Sequence, residues 1–263
     1  MRLSCAAGDN VLKRHYKLLV LALLALCLML FVRRPGLFPG GETMMHRLRG
    51  RATVADRLTQ YGEAARARLR PHFERQGVAY PPRKLVLVGL KQEKHLEVYA
   101  ADAVTPLRFI RAYVMLGASG KLGPKLREGD LQVPEGLYRI ESLNPNSAFH
   151  LALRVNYPNE FDRRQAAEEG RSDLGGNIMI HGDRASIGCL AMGDEAAEDL
   201  FVLAADAGRE NISVILSPVD FRKTSLPRSM QRPPWADELY ARIKAELRKL
   251  PESLQIESRR CCE

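Results

Sequence analysis

The chain has 263 residues, 46% of them hydrophobic, which is enough to bury one sizeable core and excludes a disordered polymer. Its formal charge of +9 points to nucleic acid only until the charges are mapped. Residues 1–70 carry 13 Lys/Arg against 4 Asp/Glu, whereas the rest holds 27 of each, so the excess basicity lies beside an apolar run. Anionic lipid headgroups are the expected partner there, and no nucleic-acid motif argues for DNA or RNA.

That run is LLVLALLALCLMLFV, residues 18–32, bracketed by Lys13, Arg14 and Lys17 before it and Arg33 and Arg34 after it. At a rise of about 1.5 Å per residue it covers roughly 23 Å, short for a bilayer core unless Tyr16 and snorkelling arginines extend it. A cleaved signal peptide is the alternative, but no Ala-x-Ala site follows, and the residue before Cys27 is not that of a lipoprotein signal. A buried core helix is the other alternative, against which the basic residues on both flanks argue. Residues 1–33 are therefore expected to form a cytoplasmic stub and an uncleaved anchor in the cytoplasmic membrane.

Residues 34–81 follow as a juxtamembrane linker and helix. Prolines, glycines and arginines without periodicity fill 33–52, after which Val54, Leu58, Tyr61, Ala65 and Leu69 recur at helical spacing until Pro71. Arg66, Arg68 and Arg70 read as a solvated face of that helix. From residue 82 the pattern changes to short strands: KLVLVGLK, HLEVYAAD, LRFIRAYVML, GLYRIESL, FHLALRVNY, NIMIHG and ISVILSPV. Their spacing predicts a mainly β domain with inserted helices (α+β), an antiparallel sandwich or barrel-like body over 82–222. One helix begins at Asp194, with Ala197, Leu200, Phe201 and Ala204 on one face. Residues 223–263 form a C-terminal helix, carrying Trp235, Leu239, Ile243, Leu247 and Leu250, and a tail. The glycine-rich GASGKLG from Gly117 fails as a phosphate loop, because Lys121 is followed by Leu122 rather than Ser or Thr.

The cysteines stand at positions 5, 27, 189, 261 and 262, with no CxxC and no metal-ligand spacing. Cys189 alone falls inside the β domain, eight positions after His181 in IMIHGDRASIGCLAM. A thiol attacks carbonyls as thiolate and needs a base or positive potential nearby. If GDRA turns the chain back, His181 and Cys189 become neighbours across the sheet, Arg184 adds positive potential, and backbone N–H groups around Gly188 can serve as oxyanion donors. On spacing alone a free cysteine is more often a small buried hydrophobe, and a histidine at a strand end is as often satisfied by a backbone carbonyl. His150, on alternation, takes a solvated or structural position. Tyr157, Asn159 and Asp162, in and just after turn-rich NYPN, read as loop-shaping groups rather than catalysts.

IMIHG followed by SIGCLAM resembles the catalytic signature of the YkuD-type L,D-transpeptidase family, a His-Gly pair preceding Ser-x-Gly-Cys. The segment GPKLREGDLQVPEGLYRIESLNPNSAFHLALRVNYPNEFDR is similar to the YafK-like branch, and the resemblance covers about residues 82–222. It implies a Cys189 nucleophile, a His181 base and a Gly182 carbonyl that orients the imidazole, with Ser186 and Gly188 as cysteine-loop positions. It also implies peptidoglycan stem peptides as substrates, no cofactor or metal, and an inner-membrane protein with its catalytic domain in the periplasm. Transfer to an amine and hydrolysis as an amidase both follow from one acyl-enzyme; a non-catalytic, membrane-tethered envelope-binding module is the other reading. Two departures are visible: most relatives carry a second histidine where Ile187 stands, and a longer loop before the cysteine.

Overall fold

The computed structural model describes residues 51–227 and 230–251. The apolar run at 18–32, and the anchor expected there, lie outside them; no helix among the described residues is long and apolar enough to cross a membrane.

Helix α1 (Val54–Gln76) starts at a capping box in which Thr53 and Asp56 satisfy each other's backbone amides. It runs past Pro71, where the sequence pattern ends it, because Leu69 and Phe73 are fully buried on either side of the proline. That burial outweighs the lost backbone hydrogen bond. The helix stops at Gly77, in the left-handed conformation at φ 64°, whose N–H returns to the last turn. Its arginine face is not merely solvated. Arg66 makes a two-pronged pair with Asp206, and Arg68 bonds Glu198 and Asp199. All three acidic partners belong to the helix Asp194–Ala207 (α3). The helix grouped by sequence with the juxtamembrane region thus packs into the same core as the strands.

The strands are β1 (Lys84–Leu90), β2 (His95–Ala101), β3 (Arg108–Val114), β4 (Gly117–Ala118), β5 (Gly136–Ser147), β6 (His150–Val155), β7 (Met179–His181), β8 (Leu190–Ala191) and β9 (Ile212–Ser217). They form one mixed sheet in the order β3-β2-β1-β9-β5-β6-β7-β8-β4. The expected antiparallel arrangement is corrected at two places, where β1 pairs with β9 and β7 with β8 in parallel. Periodicity fixes which face a residue occupies but not the direction of its neighbour, which is why the sequence missed this. β5 is long and irregular: its first four residues pair with β9 and its later ones, from Ile140 on, with β6 through two register shifts. The strand therefore turns the sheet from one half to the other.

Burial follows the alternation. Leu85 and Leu87 of β1 enter the main core with α1 and α3, while Val86 and Val88 enter a second core. That second core is closed by the C-terminal helix α4 (Ala236–Leu247), through Leu239, Ile243 and Leu247. A short helix, α2 (Glu160–Glu168), follows the NYPN segment directly. Asn159 and Asp162 are its reciprocal cap, at 2.9 and 3.0 Å, so turn chemistry was correctly sensed but belonged to a helix start.

Candidate active site

β7 ends at His181, and the eight residues 182–189 carry the chain over to β8, which pairs with β7 in parallel rather than folding back as a hairpin. Ile180 faces Leu190 and His181 faces Ala191 across this pair, so Cys189 precedes β8 at the level of the start of β7. The chain's return is fixed by main-chain bonds: Met192 N–H donates to His181 O and Gly193 N–H to Asp183 O. Asp194, the first residue of α3, accepts from Asp183 N–H at 2.8 Å. Gly182 must be glycine here, since a Cβ would lie 2.5 Å from Asp194 Oδ1 and 2.9 Å from the His150 Cβ.

The His181 ring is buried and stacked on Phe149, with centroids 4.8 Å apart and planes at 28°. Its Nδ1 is 2.5 Å from the carbonyl oxygen of Gly182. A carbonyl accepts only, so Nδ1 carries the proton and Nε2 is the basic nitrogen. Burial lowers the imidazole's pKa below its ordinary value, opposed by the Gly182 carbonyl and the charge of Asp183. The ring is neutral at pH 7 and ready to accept a proton.

Cys189 is half-buried, and its thiol lies 3.6 Å from the carbonyl oxygen of Asn177. Burial pushes the thiol pKa up; the Met179 backbone amide and the Lys125 ammonium pull it down without cancelling that shift. The resting pair is therefore thiol and neutral imidazole, not thiolate and imidazolium. Both side chains line one cleft of about 550 Å³, together with Lys125, Glu128, Leu131, Phe149, Asn177 and Ile187.

Of the sequence-predicted residues, His181 and Cys189 line the same cleft, and Gly182 meets the His181 ring through its carbonyl. Ser186 donates to the Cys189 carbonyl at 2.7 Å and so shapes the loop. Gly188 does not offer its amide to the cleft, because its N–H donates to Ser119 Oγ at 2.6 Å, whereas neither Ser119 nor Ser186 engages the amide of Cys189. Arg184 is exposed and does not line the cleft. The cation that acts on the thiol is Lys125, buried and held by Asp130 at 2.6 Å and the Arg127 carbonyl at 2.8 Å. Sequence reasoning missed it because its partner is five positions away in a loop, where no periodicity marks a pair. Phe149 was missed as well: the sequence reads it as the first residue of a strand, whereas it lies in the turn between β5 and β6, where its ring stacks on the imidazole. His150 takes the structural position expected of it, with Nε2 3.1 Å from Glu198 and its ring edge-on to Tyr61.

A family model for the YkuD L,D-transpeptidase catalytic domain matches residues 83–214. The YafK proteins of Escherichia coli K12 and O157:H7, provisionally named L,D-transpeptidases, are each 34% identical over 139 residues, covering 51% of this chain and 53% of theirs. The chain thus spans about half the length of the curated relatives it matches. Among solved structures, the helical cell shape determining protein Pgp2 from Campylobacter jejuni aligns at 24% identity and a TM-score of 0.43, over 52% of this chain and 48% of that one. Bd1075 of Bdellovibrio bacteriovorus aligns at 21% identity and a TM-score of 0.39, over 54% and 50%.

Proposed function

Because the chain belongs to the YkuD L,D-transpeptidase catalytic domain family, we propose that it is an acyl-transfer enzyme of peptidoglycan, working through a thioester on Cys189. One observation carries the reading: a thiol and a neutral imidazole, the latter tethered through Nδ1 to Gly182, line a single cleft.

The steps follow from that geometry. His181 Nε2 takes the thiol proton as Cys189 Sγ attacks the carbonyl at the L-centre of the third stem-peptide residue. The Cys189 amide faces the oxyanion of the tetrahedral intermediate. The C–N bond then breaks, and the terminal D-residue leaves with the proton from His181, which leaves the thioester. An acceptor amine gives its proton to the same imidazole and attacks the thioester; the C–S bond breaks and the thiol is restored. Water in place of the amine gives hydrolysis, so an amidase shares every step up to the acceptor. Ile187 supports keeping that second product, since it stands 73% exposed at the cleft where most relatives have an imidazole, and provides no second base.

An envelope substrate and the apolar run at 18–32 support an inner-membrane anchor with the catalytic domain in the periplasm. A reporter active only in the periplasm, fused after residue 222, should be active; activity of a cytoplasmic reporter instead would overturn the placement.

The test of the enzyme is intact-protein mass after incubation with a stem tetrapeptide or a carbapenem. The wild-type chain gains an adduct and Cys189→Ala does not, although the other cysteines remain. An unmodified wild-type protein would leave the envelope-binding module as the surviving reading.

A further inference from the structure

GASGKLG is no phosphate loop, yet its serine occupies a defined place. β4 pairs antiparallel with β8, Gly117 against Ala191 and Ala118 against Leu190, so Ser119 arrives beside the cysteine loop. There two serines interlock. Ser119 N–H donates to Ser186 Oγ at 3.0 Å, and Gly188 N–H donates to Ser119 Oγ at 2.6 Å. Ser186 Oγ lies 2.7 Å from the Cys189 carbonyl oxygen, and Ser119 Oγ lies 2.7 Å from the Leu131 carbonyl oxygen. The two hydroxyl oxygens are 3.1 Å apart. Each hydroxyl has one proton. When both carbonyls are served, both protons are spent, and each oxygen is left to accept from one backbone amide.

The consequence is set by which peptide units are held. Gly188 N belongs to the peptide before Gly188, and Cys189 O to the peptide after Cys189. Both are clamped by a serine. The peptide between them carries the Cys189 amide, and neither serine engages it. Gly188 itself sits at φ 118°, where no side chain restricts the backbone, so the loop does not hold this geometry by its own sterics. Ser119 also reaches across to Leu131, which with Cys189 and Ile187 lines the cleft, and so ties the two sides together.

We propose that Ser119 is a positioning residue for acyl transfer, acting through the Gly188 amide to aim the Cys189 amide at the oxyanion. The inference rests on the function proposed above. Its signature is a separation of two reactions of one thiol. Alkylation by iodoacetamide at a saturated carbon forms no oxyanion and needs only the sulfur, whereas acylation needs the aimed amide as well. Ser119→Ala should lower the acylation rate on the order of 10²-fold, the scale of a lost or misplaced oxyanion donor, and should lower kcat rather than raise KM. Alkylation of Cys189 and its pH profile should stay within about twofold of wild type, and Ser119→Thr, which keeps the hydroxyl, should recover most of the acylation.

The full chain is used for all arms, with a carbapenem as acyl donor and amide hydrogen exchange over residues 186–190 read in parallel. Loss of protection in Ser119→Ala, regained in Ser119→Thr, supports the clasp. Equal losses in alkylation and acylation would reduce Ser119 to a structural residue and overturn the proposal, as would unchanged acylation. A wild-type chain that forms no adduct removes the functional reading and the acyl-transfer role with it. The exchange arm then decides the clasp alone, and unchanged protection in Ser119→Ala overturns that too.

Discussion

β1 pairs with β2 over seven residues and with β9 over six, whereas β8 pairs with β7 over two and with β4 over two. The first region is buried on both faces between two cores, and its position follows from apolar area and a continuous ladder. The second holds the thiol and has almost no ladder. Its geometry comes instead from individual bonds: Ser119 and Ser186 on the cysteine loop, Gly182 on the imidazole, Asp194 on the turn between them. Stability and chemistry are thus carried by different residues, and substitutions should separate them.

The largest separation is expected at the base. His181→Ala should cut acylation by about 10² to 10⁴-fold, the contribution of a positioned general base. His150→Ala should leave acylation within about threefold, because that ring pairs with Glu198 and packs on Tyr61 rather than lining the cleft. Adduct formation followed by mass spectrometry checks both. An inactive His150→Ala beside a normal His181→Ala would break the assignment of the two histidines.

Leu87→Ala tests the other region. The side chain is 2% exposed in the main core, and its truncation should cost about 2–5 kcal/mol of stability by denaturant unfolding. The protein that remains folded should acylate at the wild-type rate per folded molecule. A specific rate that fell with the stability would show that ladder and site are coupled, against the comparison.

The pH dependence is a finer test of the site half. The imidazole is held below its ordinary pKa of 6.5 and the thiol above 9.0, both by burial. Acylation should therefore persist as pH falls below 6.5 and decline only through the depressed histidine value. Iodoacetamide alkylation should rise with an inflection above 9. An alkylation inflection near neutrality would instead reveal a preformed thiolate and imidazolium pair. For stability the sign is fixed as well: between the folded His181 value and 6.5 the unfolded chain binds more protons, so His181 makes the fold less stable as pH drops through that window.

Legibility in the sequence divides along the same line. The seven strands read from alternation are present, as are the helices beginning near Val54, Asp194 and Ala236, because a strong period survives folding. β4 and β8 were unreadable, since two residues carry no period, and with them went the parallel direction at β7 and the role of Ser119. Cys189, His181 and Gly182 were legible through a motif of contiguous residues. Lys125 and Phe149 reach the cleft from loops far along the chain, and only folding brings them there. Arg184 was read as the local cation because it is close in sequence; the turn instead leaves its side chain outside the cleft lining.

The smallest effect is expected at Ile187, where an aliphatic side chain stands 73% exposed at a cleft that Leu131, 52% exposed, also lines. On the proposed mechanism, with no second imidazole at position 187, His181 would deprotonate the acceptor as well as the thiol, and the choice between amine and water would depend on how well the amine is bound. Partition between transfer and hydrolysis should accordingly shift with acceptor concentration at constant pH. Ile187→His would place a base at the cleft without touching the Nδ1 tether of His181 or the serine clasp. An exposed ring is poorly fixed, so its gain should be far below that of a positioned base, about threefold in partition, with acylation changed less than that. Tetrapeptide turnover measured by mass spectrometry, with and without a diamino-acid acceptor, reads both quantities. A variant that changed acylation more than partition would mean that Ile187 lies against the donor rather than the acceptor, and that the exposed apolar lining of the cleft selects the stem peptide being cut.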